Sequence, residues 1–347
     1  MKICFCSYSI PKYKVGGAER QMFNMAKELV ERGHEVHMTT KKFSDEQPWD
    51  EEVEGVKVHA FTDESKFKIV SSYLKALNRA DADIYHNRVA TSITGLTALF
   101  AKLKRRKFVY TMAHEKEFSE EFIDDKLSVY RKYSYLFGIR NAERVVTLSK
   151  DMKKGLKEKI GIDSEVIYSG YRERDPPEWE EKEDLVVWIG RFVEWKRPEK
   201  FLELADKVED DRWRFALIGF GDEEYEKELK DKAEDIDNLD YVGEIEPGDD
   251  WEWYRKAKLV VNTSTKEGFP NTFIQSWMMG TPVASLEVDP DGFIEKNDLG
   301  VKGKIKEIRD EIVDNKLKSK GEKARKVFED RFRIEETVEK HLERLYR

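Results

Sequence analysis

An alternation that runs twice through the chain constrains its fold most: apolar runs of strand length separated by segments with helical periodicity, the pattern of βα units around parallel sheets. The first series opens with a strand over residues 2–7, a loop, and a helix over about 18–32 that keeps Met22, Ala26, Leu29 and Val30 on one face. Gly33 stands just past that helix, where a left-handed residue ends it. Further strands are expected over residues 34–39, 56–61, 84–86, 108–112 and 145–148. Between residues 169 and 184 the pattern gives way to Gly170, Pro176, Pro177 and a Glu-rich run, which reads as a connection between domains. A second series follows, with strands over residues 185–189, 213–218, 239–242, 259–262 and 282–286. At 347 residues the chain exceeds the size of one hydrophobic core. The expectation is two doubly wound, Rossmann-like α/β domains, residues 1–168 and 183–330, with a charged helical tail, residues 331–347, packing back on the first.

Charge narrows the partners. A formal net charge of -8 argues against a general nucleic-acid binder, so an anionic ligand needs a local basic site. Cys4 and Cys6 sit two apart on a strand, facing the same side, and read as reduced buried thiols. The longest near-apolar stretch, residues 93–101, is far short of a membrane span, which leaves the cytoplasm as the expected compartment and a membrane as something touched from outside. The basic run over residues 102–107, broken only by Leu103, is either a solvated helix end or the flank of an interfacial helix meeting anionic lipid.

Three places could carry chemistry. Gly16 and Gly17 lie between the first strand and its helix, where backbone can approach a phosphate, although the same pair also serves as plain loop geometry. Gly190 and Arg191, with Lys196 five residues on, follow the first strand of the second domain; two cations there suit a diphosphate or form a solvated face. The segment Glu267, Gly268, Phe269, Pro270, Asn271, Thr272 enters a helix that carries Gln275. Its free N–H groups make an anion site, with Glu267 toward a sugar and Gln275 toward ribose; alternatively Glu267 and Asn271 cap the helix. The histidines His34, His37, His59, His86 and His341 show no metal-ligand spacing, and only His86, at a strand end, lies at the relevant sheet edge.

Taken in order, Val15-Gly16-Gly17-Ala18-Glu19-Arg20, Gly190-Arg191 with Lys196, Ile218-Gly219-Phe220-Gly221, and residues 267–275 with Gly280-Thr281-Pro282-Val283 resemble the retaining family-four glycosyltransferases of GT-B fold. The resemblance spans nearly the whole chain. It implies two domains facing across a cleft, with Gly16 and Gly17 cradling a donor diphosphate that Arg191 and Lys196 neutralise. It further implies that Glu267 holds the sugar hydroxyls, that backbone N–H groups of Phe269 to Thr272 complete the pocket, and that His114 stands beside the reacting sugar. No cofactor and no metal is implied, since Arg and Lys stabilise the departing diphosphate. The partners implied are a nucleotide-sugar donor and a sugar, lipid-linked or protein acceptor. Gln275 departs from the pattern, which has a second glutamate there in contact with ribose; a glutamate at 275 is accordingly expected to be tolerated. Two rival readings remain at this stage. One is a nucleotide-sugar epimerase or sugar-phosphate synthase of the same fold, and the other a non-catalytic sugar-nucleotide-binding partner of a membrane complex.

Overall fold

The structure, a computed structural model, describes residues 1–347 other than 15, 120–122, 124–128, 247 and 315. Val15 of the first motif therefore lies outside the described residues. The chain forms two compact units, Met1–Arg172 with Ile334–Arg347, and Glu173–Arg333.

The first unit is built on eight strands: β1 (Lys2–Cys6), β2 (Glu35–Lys41), β3 (Asp50–Val53), β4 (Val56–Phe61), β5 (Ile84–Arg88), β6 (Lys107–Thr111), β7 (Arg144–Thr147) and β8 (Glu165–Val166). Their order is β3-β4-β2-β1-β5-β6-β7-β8, parallel except for β3 against β4. The helices between them are α1 (Gly17–Glu31), α2 (Lys66–Ala80), α3 (Thr94–Lys104), α4 (Val129–Arg140) and α5 (Lys150–Ile160). Helix α1 buries Met22, Phe23, Met25, Ala26 and Leu29 against Ile3, Phe5, Val36 and Met38, each large side chain contributing about 1.5–3 kcal/mol. Cys4 and Cys6 are free and buried.

The second unit carries a wholly parallel sheet of β9 (Glu183–Phe192), β10 (Arg214–Gly221), β11 (Leu239–Gly243), β12 (Ala257–Asn262), β13 (Val283–Ser285) and β14 (Gly300–Lys302), in the order β11-β10-β9-β12-β13-β14. Helices α6 (Pro198–Asp206), α7 (Glu223–Ala233), α8 (Asp250–Lys256), α9 (Asn271–Met278), α10 (Phe293–Asn297), α11 (Ile305–Val313) and α12 (Leu317–Arg331) accompany it. Trp188, Phe192, Phe201, Trp213, Phe215 and Leu259 fill its core. Gly219, at φ +154°, is obligatory: a Cβ there would lie 1.8 Å from the Gly190 carbonyl oxygen. The final helix, α13 (Ile334–Arg344), belongs to the first unit, where Ile334 and Val338 join the core and Arg32 donates to the Glu335 carbonyl at 2.9 Å.

Several local expectations need correction. Helix α12 closes at Phe332, and the charged tail beyond it is the separate helix α13. Strands β3, β8 and β14 were missed because each has only two to four residues and lacks a full apolar period. Strand β5 runs two residues past His86, so that histidine sits inside the sheet, bonded to Tyr346 Oη at 2.6 Å and Thr111 Oγ1 at 2.7 Å.

Candidate active site

In a doubly wound sheet the natural crevice opens at the carboxyl ends of the strands where the winding reverses. In the second unit that point lies between β9 and β12. Strand β9 extends to Phe192, so Gly190 and Arg191 end the strand instead of following it. A Cβ on Gly190 would press the Trp188 ring at 3.1 Å and lie 3.6 Å from Lys196 Cδ. Arg191 is exposed and carries no ion pair among the described residues. Lys196 closes a short 3-10 turn, Glu194–Lys196, and its Nζ lies 2.8 Å from Glu267 Oε1. Ser264 Oγ donates to the same oxygen at 2.9 Å. Only 17% of the lysine side chain and 11% of the glutamate side chain are exposed, so the pair is mostly shielded from water.

The loops that carry this pair are fastened to each other. Thr265 N–H donates to the Trp195 carbonyl at 2.9 Å, and Arg197 Nε donates to the Thr263 carbonyl at 2.8 Å. Helix α9 then begins, with Pro270 at its N-cap and no side-chain cap. The capping alternative for Glu267 and Asn271 is thereby corrected, since Glu267 is engaged by Lys196 and Ser264. Gly268 and Pro270 are buried, and Phe269 packs its ring against Phe332 at 5.3 Å and Phe293 at 5.6 Å, while Asn271 and Thr272 are partly exposed. Gln275 is buried on α9 and donates Nε2 to Asp250 Oδ2 at 2.9 Å. Asp250 opens α8, which follows β11, so both groups belong to helices that start at the carboxyl edge.

In the first unit the winding reverses between β1 and β5. Gly16 is the N-cap of α1, in extended backbone, and a Cβ there would meet Glu19 Oε2 at 2.3 Å; Gly17 is the first helical residue. Arg88 ends β5 and donates Nη2 to Ser169 Oγ at 3.0 Å, and Val89 follows at φ +71°, a strained value for a β-branched residue. Burial pushes the Arg88 guanidinium down to about 10, opposed by the nearby Tyr171, Glu117 and Glu19.

His114 follows β6. Its Nδ1 accepts the Lys116 N–H at 3.1 Å, which leaves the proton of the neutral ring on Nε2. The turn is held by Glu117, whose Oε1 accepts from Ala113 N–H at 2.8 Å and His114 N–H at 3.0 Å. The other oxygen accepts from Ala90 N–H at 3.1 Å and from the Tyr110 hydroxyl. Burial pushes this carboxyl above its usual range although all four donors favour its charged form. Glu117 thus ties the His114 turn to the strained turn after β5. Sequence reasoning passed over Glu117, Arg88, Asp250 and Ser264. Only Glu117 left a signal, its spacing three residues after a helix-capping His114.

Among the described residues no cluster of three or more His, Cys, Asp or Glu side chains is placed to hold a metal, and no helix is long and apolar enough to cross a membrane.

Residues 15–173 match the family described as Glycosyltransferase Family 4, and residues 171–309 match Glycosyl transferases group 1. A Campylobacter jejuni relative named GalNAc-alpha-(1->4)-GalNAc-alpha-(1->3)-diNAcBac-PP-undecaprenol alpha-1,4-N-acetyl-D-galactosaminyltransferase is 26% identical over 290 residues, 78% of this chain and 76% of that protein. Among solved structures, Anabaena HepE in complex with UDP and glucose aligns with a TM-score of 0.76 at 19% identity, over 100% of this chain and 99% of its own. The sucrose-phosphate synthase of Thermosynechococcus elongatus aligns at 0.80 and 17% identity, over 99% of this chain and 98% of its own. These structures share the fold.

Proposed function

We propose that this chain, which belongs to the family-four glycosyltransferases of GT-B fold and so transfers sugar from a nucleotide-sugar donor, moves a hexose-type sugar with retention of configuration and without a metal ion. The observation that carries this reading is the shielded Lys196–Glu267 pair at the reversal point of the second sheet, with Arg191 one strand-end away. A donor diphosphate entering there takes Lys196 and Arg191 as its cations, and Lys196 turns from Glu267 toward phosphate. The freed carboxylate then accepts hydrogen bonds from the sugar hydroxyls, contacts that strengthen as positive charge develops at the anomeric carbon. The bond from that carbon to the phosphate oxygen breaks with its electron pair on phosphate. The acceptor oxygen bonds from the same face, and its proton passes to the departing phosphate. Gly16 and Gly17 contribute backbone to the diphosphate, His114 offers Nε2–H to the sugar, and Gln275 with Asp250 stands near the ribose. The acceptor we propose is a hydroxyl of a lipid-linked glycan, the class in the name of the Campylobacter relative, reached by a peripheral protein at the cytoplasmic face of a membrane.

The test begins with binding of UDP-, GDP- and ADP-hexoses, followed by initial rates in EDTA and proton NMR of the product. Transfer should persist in EDTA, and an α-configured donor should yield an α-linkage. Arg191→Ala and Lys196→Ala should each raise the donor KM about tenfold or more, the loss of a charged hydrogen bond of roughly 1.5–3 kcal/mol. Unchanged donor kinetics in both variants, activity restored only by a divalent ion, or a β-linked product would each remove the corresponding part of this reading.

A further inference from the structure

We infer that the cleft between helix α2 and the β3–β4 edge of the first unit is a glycan-binding site that holds the sugar chain of the acceptor; only its service to the acceptor rests on the transferase reading. The cleft has a volume of about 330 Å³. It is lined by Trp49, just before β3, by Thr62, just after β4, and by Lys68, Ser71, Lys75 and Arg79 along α2. The spacing of those four α2 residues, three and then four and four, sets them on one stripe of the helix.

Trp49 is 48% exposed, yet its backbone is firmly held. Its carbonyl accepts the Ala60 N–H at 2.7 Å and Arg79 Nη2 at 3.4 Å. Arg79 also donates to the Ala60 carbonyl at 2.7 Å and, through Nε, to Asp50 Oδ1 at 2.8 Å. An arginine of α2 thus fastens the Trp49 turn to β4, and a large aromatic side chain stands at the cleft on a fixed base. Lys42 Nζ lies over the ring at 4.7 Å but does not line the cleft, so it leaves the space there open. A ring presented in this way loses little freedom when a ligand stacks on it.

The polar lining offers both halves of a hydrogen bond. Lys75 makes no ion pair among the described residues, and Lys68 is paired only with the exposed Glu64. The Ser71 hydroxyl donates to the Lys68 carbonyl at 3.2 Å and the Thr62 hydroxyl to Glu64 Oε1 at 3.2 Å, which leaves both oxygens to accept. Ammonium donors, hydroxyl acceptors and an aromatic plane suit a ligand that accepts, donates and has an apolar face, as a sugar ring does. A phosphate or carboxylate only accepts, and would find no use for the hydroxyl oxygens. Beyond Lys75 and Arg79 the hollow continues into a second one of about 530 Å³, which Leu74, Asn78 and Phe100 also line, so its length suits linked sugars rather than a single ring. The position suits an acceptor. In the sheet β4 stands two strands from β1 and β3 three, about 10 Å and about 14 Å at the usual strand spacing. Thr62 follows the carboxyl end of β4 as Gly16 follows that of β1, so the cleft opens on the same sheet edge, within the reach of a short sugar chain.

The experiment is saturation-transfer NMR of the full chain with single sugars and short oligosaccharides of glucose, galactose, mannose, N-acetylglucosamine and N-acetylgalactosamine, followed by initial rates with those that bind. An oligosaccharide should bind the wild type more tightly than its single sugar does. Trp49→Ala should weaken that binding about tenfold or more, and Trp49→Phe should keep most of it. Ser71→Gln, a good helix former that extends into the cleft, should weaken it as well. Nucleotide-sugar affinity and Tm should stay unchanged in all three, which checks that each is folded. In transfer, Trp49→Ala should raise the KM of the oligosaccharide acceptor by the same factor, with kcat and the KM of a single-sugar acceptor unchanged. Equal glycan binding by Trp49→Ala, or none by the wild type, overturns the inference. So does displacement of the glycan by inorganic phosphate, which would make the cleft an anion site. An unchanged acceptor KM in a variant that has lost glycan binding overturns the service to the acceptor. Glycan binding without nucleotide-sugar binding would overturn the transferase reading and leave the cleft standing; nucleotide-sugar binding without glycan binding would do the reverse.

Discussion

Gln275 turns on a neighbour far away in sequence. Its amide nitrogen meets Asp250 Oδ2 at 2.9 Å, and both side chains are buried. A glutamate at 275 would set two carboxylates against each other there, so the sequence-based expectation of tolerance does not hold. One of the two would have to take up a proton, which shifts its pKa upward and costs stability. We expect Gln275→Glu to lower Tm at pH 7 by the equivalent of about 1–3 kcal/mol, less at pH 5, and Gln275→Glu with Asp250→Asn to recover it. A single variant that melts like the wild type at pH 7 would show that the two groups do not interact in solution. The same contrast explains what was legible at this scale. Gly16, Gly17, Arg191, Lys196 and Glu267 announce themselves because glycines and charges follow strand-like runs, where a parallel sheet presents ligands. Asp250 does not, because its meaning comes from α9, 25 residues away. Nor does the direct Lys196–Glu267 contact, which joins two loops 71 residues apart.

Strand pairing gives the next prediction. β2 and β4 pair in parallel with His37 opposite Lys57 and Thr39 opposite His59, so His37 and His59 share a face as diagonal neighbours. His37 Nδ1 and His59 Nε2 are 2.8 Å apart, and His59 Nδ1 lies 2.6 Å from Asp50 Oδ1 on β3. Burial, reinforced by repulsion from His59, pushes His37 down to about 4, and burial also lowers His59. Between an unfolded value near 6.5 and that folded value, the unfolded chain binds protons the folded chain refuses. Stability is therefore full above about pH 6.5 and falls as pH drops toward 4, by up to about 3 kcal/mol for His37. Calorimetry from pH 7 to 4.5 should show Tm falling, and His37→Gln should flatten that fall. An unchanged slope in the variant would assign the acid sensitivity elsewhere. At this scale the long elements were legible and the short ones were not. α1 carries a full apolar stripe, whereas β3 is the four residues Asp50–Val53, three of them acidic, held at the sheet edge by its pairing with β4.

Across the whole molecule the twofold alternation in sequence corresponds to two units, each with its own reversal point, β1 to β5 and β9 to β12. All six histidines fall in the first unit, so His114 belongs with Gly16 and Gly17, while the cations and Glu267 belong to the second. The return of the chain to the first unit as α13 is encoded in Ile334, Val338 and Tyr346, whose apolar spacing says only that they need a core and not which one. The donor-binding claim concentrates on Glu267, and it is tested most directly by comparing kcat and Tm in Glu267→Ala. Because the carboxylate is assigned to contacts that tighten in the transition state, kcat should fall by roughly 100-fold or more while Tm moves by only a few degrees. A near-normal kcat together with a clearly lowered Tm would make the Lys196–Glu267 pair a structural fastening between two loops and contradict the account.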